Sequence, residues 1–222
     1  MSTNSPADLQ RIYEQRFGRD LEYRQQVWQV LVSRVFQRFA TPTAAVLDLG
    51  CGYGEFIRHI RCGRKFAMDL NPDATRRAGP GVECFVQDCS APWPLPDGAL
   101  DLVFSSNFFE HLPDKAALGR TFDEAFRCLG RGGRLVAMGP NIRYLPGAYW
   151  DFWDHYLPLT ELSLKEALEN RGFAIERCHA RFLPYTMAGG PRYPFLFLRL
   201  YLALTPAWRI FGKQFLVVAG KT

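Results

Sequence analysis

The stretch Val46-Leu47-Asp48-Leu49-Gly50-Cys51-Gly52-Tyr53-Gly54-Glu55-Phe56 passes from a short apolar run to three glycines at alternate positions. With Ala45 before it, the run has the length and continuity of a strand buried on both faces, as in parallel sheets. The glycines permit a tight turn and let a ligand approach the backbone without a Cβ in the way. Glu55 to Ile60 then reads as a helix. Strand, glycine turn and helix form one unit of a βα alternation.

The flanking sequence repeats that alternation. Upstream, Leu9, Ile12, Tyr13 and Phe17, then Val27, Leu31, Val35 and Phe39, recur at helical spacing until Thr41-Pro42-Thr43 interrupts them. Downstream, Lys65 to Met68 is a second strand ending at Asp69, and Asn71-Pro72-Asp73 starts a helix. Val82 to Val86 is a third strand closed by Gln87-Asp88. Prolines 92, 94 and 96 with Gly98 mark a loop. Leu100 to Ser105 is a fourth strand and Lys115 to Leu129 a helix, which Gly130 to Gly133 stop before a fifth strand, Arg134 to Met138. Thr160 begins a helix ending near Gly172. Ala174 to Cys178 and Phe215 to Ala219 are late strands. Such an order predicts an α/β, doubly wound sheet with helices on both faces and one antiparallel edge.

Bulk properties narrow the function. The 222 residues carry a net charge of +5, with pI near 9.0 and 48% hydrophobic residues. They fit one domain spanning 1–222: a helical cap over 1–42, a ligand-binding core over 43–139, and an acceptor-side loop, lid and closing strands over 140–222. Basic residues form no tract, so no nucleic-acid partner is expected. The six cysteines make no C-x-x-C pair, which fits a reducing cytoplasm. The N-terminus lacks the basic start and apolar stretch of a signal peptide, and no apolar run is long enough to span a bilayer.

In doubly wound sheets, ligands bind beyond the carboxyl ends of the strands, where strand order reverses. Asp69, about twenty residues beyond the glycine turn, is placed to take both hydroxyls of a ribose. Asp88 ends the third strand, where a carboxylate can meet an adenine amine.

VLDLGCGYGEF, FAMDLNPDA, Asp88-Cys89, PLPDGALDLVFSSNFFEHL and GGRLVAMGPN occur in that order. Together they resemble the class I S-adenosylmethionine (SAM)-dependent methyltransferases, in particular the small-molecule, type 11-like branch. The likeness is tight over Ala44 to Met138 and looser to Phe182. It implies a Rossmann-like, seven-stranded, mainly parallel sheet with an antiparallel C-terminal strand. It also implies SAM as cofactor and S-adenosylhomocysteine as product. By resemblance Gly50, Cys51, Gly52 and Gly54 line the methionine and ribose, Asp69 holds the ribose and Leu70 flanks the adenine. Asp88 and Cys89 face the adenine edge, Asn107 lies by the methionine amino group, and His111 lies near the transferring methyl. Tyr13 or Arg16 is placed to close over the cofactor.

For the acceptor, the aromatic connection after the fifth strand stands out: Tyr144, Tyr149, Trp150 and the run Asp151-Phe152-Trp153-Asp154-His155-Tyr156. His155 is read as orienting or deprotonating the acceptor, with Asp154 or Asp151 as its partner and His111 as a second candidate. The acceptor classes are a small molecule, a glycan or a lipid-linked compound, methylated at O or N. No metal is expected, since the histidines are far apart in sequence and the cysteines lack ligand spacing. Residues 193–204 are apolar on nearly all sides. That leaves a core helix, a lid, a homodimer contact or, over 193–213, a peripheral contact at the inner face of a membrane. Two other functions fit the glycine turn. One is a non-catalytic SAM-binding scaffold. The other is an NAD(P)-dependent oxidoreductase, although the wider G-x-G-x-x-G spacing is missing and Asp88 has no role there.

Overall fold

The computed structural model describes Arg11, residues 21–185 and residues 192–222. Seven strands form one sheet: β1 (Ala45–Leu49), β2 (Arg64–Asp69), β3 (Val82–Val86), β4 (Leu100–Ser106), β5 (Leu129–Pro140), β6 (Ala174–His179) and β7 (Gln214–Gly220). Their spatial order is β3-β2-β1-β4-β5-β7-β6. All neighbours through β5 run parallel, and β7 is antiparallel to both β5 and β6.

One detail differs from the sequence expectation. The antiparallel strand is not the edge: β7 is inserted between β5 and β6. Its composition explains the choice, since Gln214 to Gly220 is buried throughout whereas β6 is largely exposed. The more apolar strand takes the interior position.

Alternation along the strands divides the core into two layers. Leu47, Leu49, Phe66, Met68, Leu135 and Val217 face one side, with Phe122, Leu164 and Leu168 from helices α4 (Lys115–Cys128) and α5 (Glu161–Glu169). Val46, Ala67, Phe104, Val136 and Val218 face the other. There they meet α1 (Leu21–Leu31), its π-helical continuation Val32–Phe36, and α2 (Glu55–His59). The wide turn lets Val32, Val35 and Phe36 all be buried. A short α3 (Pro72–Arg76) follows β2, where the Asn71 side chain accepts the Asp73 N–H at 3.0 Å.

Two boundaries moved. The helix before β5 stops at Cys128, and Gly130 to Gly133 belong to β5, which carries an irregular register against Leu100 and Leu102. The glycines therefore act as a strand bulge as well as a helix stop. At the other end, the apolar run forms α6 (Phe195–Ala203) and α7 (Thr205–Phe211). Leu202 is buried, and Phe195, Leu198 and Tyr201 pack on the second layer, whereas Leu196, Phe197 and Leu200 are exposed. No helix of the described residues is long and apolar enough to cross a membrane.

Candidate active site

Strand order reverses between β1 and β4, which are neighbours although β2 and β3 separate them in sequence. In doubly wound sheets the loops beyond the carboxyl ends of such a pair form the ligand crevice. The residues after β1 line it. Gly50 sits at φ +66°, and a Cβ there would fall 2.1 Å from the Phe108 ring. Only glycine lets the loop after β4 close against the loop after β1. Gly52 and Gly54 also have positive φ.

Asp69, at the end of β2, ties these loops together. One carboxylate oxygen accepts the Gly52 N–H at 3.0 Å and the other the Asn71 N–H at 2.9 Å. Burial pushes the group up to about 6, against the pull of those two N–H groups. The Leu70 N–H also pulls on the group, so of about four acceptor positions on a carboxylate roughly one remains. Leu70 is half-buried beside it. Asp48, one strand over, is buried and accepts the Ile57 N–H at 3.3 Å; burial raises it well above the usual range. It anchors the start of α2, a role not read from the sequence.

At the end of β3, Asp88 accepts the Ser90 N–H at 2.8 Å and stays half-buried. The Cys89 side chain points into the core, 3.4 Å from the Thr121 hydroxyl, and burial pushes its thiol up to about 12. Its part in any ligand contact is therefore that of its backbone. Cys51 is also a buried, neutral thiol. Tyr13 and Arg16 lie outside the described residues.

Asn107 follows β4 at φ +49°, the one non-glycine with positive φ among the described residues. Its N–H donates to the Met138 carbonyl at 2.8 Å and its Nδ2 to the Ser106 hydroxyl at 2.9 Å. Its Oδ1 is buried and lacks a hydrogen-bond partner in the protein. A buried acceptor left so is costly unless a ligand supplies the donor. Backbone strain and an orphaned oxygen coincide at the crevice.

The next turn, Phe109–His111, and the connection after β5 meet beside it. His111 Nδ1 lies 2.8 Å from the Asp154 carbonyl oxygen and 3.3 Å from its carboxylate. The His111 and His155 rings are 4.9 Å apart, and Phe152 stacks on His155 at 4.9 Å. The carboxylate reaching His111 is thus Asp154, across the fold, while Asp151 is exposed. Asp154, the sequence neighbour of His155, thus also contacts the second candidate histidine.

Glu110, quoted in the sequence motif without a role, is fully buried in the same cluster. Burial pushes it up to about 7, opposed by His111. Ligand atoms of Glu110, His111 and His155 all lie within 4.8 Å of one another. Distance along the chain was therefore a poor guide to metal-binding potential. Of the aromatic residues, Tyr149 is buried and donates its hydroxyl to the Leu157 carbonyl, whereas Trp150 and Trp153 project outward.

A family model described as a methyltransferase domain matches residues 21–177. A probable S-adenosylmethionine-dependent methyltransferase of Mycobacterium tuberculosis is 34% identical over 154 residues, covering 66% of this chain and 54% of that protein. The chain thus spans about half the length of that curated relative. Two solved structures share the fold. A chain from a complex between the Haloferax volcanii Trm112 methyltransferase activator and a methyltransferase has TM-score 0.68 at 19% identity, over 92% of this chain and 94% of that one. A SAM-dependent methyltransferase of Archaeoglobus fulgidus has TM-score 0.65 at 22% identity, over 89% and 94%.

Proposed function

We propose, from the premise that this chain belongs to the methyltransferase domain family, that it transfers the methyl group of SAM to a small-molecule, glycan or lipid-linked acceptor at O or N. The observation that carries this reading is the crevice at the β1–β4 reversal. It offers positive-φ glycines, a carboxylate at Asp69 with acceptor capacity left and the orphaned Oδ1 of Asn107.

Those groups suit the cofactor. Gly50, Cys51, Gly52 and Gly54 give a backbone wall for the methionine and ribose. Asp69 accepts from the ribose hydroxyls, Leu70 packs on the adenine, and Asp88 with the Cys89 backbone meets its edge. Asn107 Oδ1 accepts from the methionine ammonium. Residues 43–139 thus hold the cofactor and 140–222 the acceptor, in one domain.

When bound, the sulfonium supplies an activated methyl carbon: the acceptor's lone pair bonds to it, and the C–S pair stays on sulfur. The protein's task is alignment and exclusion of water. His155, fixed between Phe152, Tyr149 and His111, orients the acceptor's reacting atom. His111 is held at the crevice by Asp154. Loss of turnover in His155→Gln with SAM affinity retained is the expected result; unchanged turnover excludes the assignment.

The decisive measurement is calorimetry with SAM and S-adenosylhomocysteine on folded protein. Binding of both, with none of NADH, is expected. Tight NADH binding without either would reject the reading. Labelled SAM incubated with fractionated extract then shows whether lipid, glycan or polar metabolite takes the methyl.

A further inference from the structure

We propose that Glu110, His111 and His155 bind one divalent transition-metal ion whose open positions take an oxygen of the acceptor. This deepens the acceptor-site reading above and rests on it. Three geometric facts carry the proposal.

First, two imidazoles and one carboxylate converge from separate segments, the turn after β4 and the connection after β5. Their ligand atoms lie within 4.8 Å of one another. Nitrogen and oxygen donors in that ratio suit zinc and its first-row neighbours, and three protein ligands leave room for another. Ligands about 2.1 Å from a metal sit roughly 3 to 3.5 Å apart, so binding requires a closure of about an ångström. His111, the half-exposed member, is the side chain with space to move.

Second, His111 is oriented as metal-bound histidines are. Its Nδ1 faces the Asp154 carbonyl at 2.8 Å and the Asp154 carboxylate at 3.3 Å, which directs Nε2 away from both. A carbonyl or carboxylate behind the ring fixes the tautomer and strengthens the ligand. Third, Glu110 and His155 are buried, at 2% and 6% exposure. A largely buried site lets a cation polarise its bound oxygen strongly, while half-exposed His111 leaves one side open to solvent.

The ion selects between methylation at O and at N. An acceptor hydroxyl on the metal gives up its proton to solvent. Its oxygen lone pair then forms the O–CH3 bond as the S–CH3 bond breaks, with the pair left on sulfur. An amine with a free lone pair needs no such help, so the cluster points to O-methylation.

The test uses the full chain, stripped with chelator and titrated with cobalt(II). The expected result is one equivalent bound, with visible ligand-field bands that zinc or EDTA removes. Glu110→Gln, His111→Gln and His155→Gln should each weaken binding at least tenfold or so. His179→Gln, far from the cluster, should bind as wild type. Absence of stoichiometric cobalt binding, or equal binding in all three variants, overturns the proposal. Should a variant not fold, the wild-type spectrum and its displacement by zinc decide alone. Calorimetry with SAM on the same samples separates the two readings. Intact SAM binding without cobalt removes only the metal, whereas loss of SAM binding in folded protein removes the methyltransferase assignment.

Discussion

At the scale of single residues, the strongest consequences attach to Gly50 and Asp69. Gly50→Ala introduces a Cβ where the Phe108 ring already lies and keeps φ at +66°, which alanine resists. Strain and clash together should cost about 2 to 3 kcal/mol in denaturant unfolding and abolish measurable SAM binding. Asp69 gives a pH signature. Its folded value of about 6 lies above the ordinary 3.8, so the native state holds the proton more firmly than the unfolded chain does. Without cofactor, this group favours folding more as pH falls from about 6 towards 4, and that contribution is lost as pH rises through 6. Cofactor binding moves the opposite way, because the ribose hydroxyls need an ionised acceptor. SAM affinity should drop about tenfold between pH 7 and pH 5, the fall in ionised fraction for such a group. In calorimetry, Asp69→Asn should show weaker binding with that pH dependence gone.

Elements show why some of the fold was legible in sequence and some was not. Apolar runs ending in Gly50, Asp69 and Asp88 marked β1 to β3 because both burial and chain reversal leave local signals. The insertion of β7 between β5 and β6 leaves none, since pairing partners are chosen by burial across the whole sheet. The candidate cofactor residues lie at strand ends, where the sequence signals are local. The cluster of Glu110, His111, Asp154 and His155 was only half visible, because it forms between segments that nothing in sequence spacing relates. Local signals also predict local energetics. Thr160 and Ser163 make a reciprocal cap at the start of α5, and Thr160→Ala should lower stability by about 1 kcal/mol without altering SAM affinity. Leu202→Ala, which empties a buried position under α6, should cost about 2 to 4 kcal/mol in chemical denaturation.

For the molecule as a whole, charge and apolar surface coincide at one end of the chain. Downstream of Glu176 there is no Asp or Glu, while Arg199 and Arg209 lie on the two last helices and Arg192 and Lys213 flank them. On those helices Leu196 and Phe197 are 62% and 60% exposed, and Ile210 and Phe211 are 65% and 60% exposed. Apolar side chains able to enter a headgroup region, with cations near them in sequence worth about 1 kcal/mol each at an anionic surface, are what an interfacial contact would require. A lipid-linked acceptor would then reach the crevice from the bilayer that holds it. The expected outcome is flotation with vesicles rich in phosphatidylglycerol, weakened by added salt and absent with neutral phosphatidylcholine alone. Leu196→Ser with Phe197→Ser should abolish flotation and leave unfolding and SAM affinity unchanged, since neither side chain is part of the core. Failure to float on anionic vesicles would remove the membrane contact, and concentration-dependent dimerisation that the same pair of substitutions removes would assign this face to a second copy of the chain.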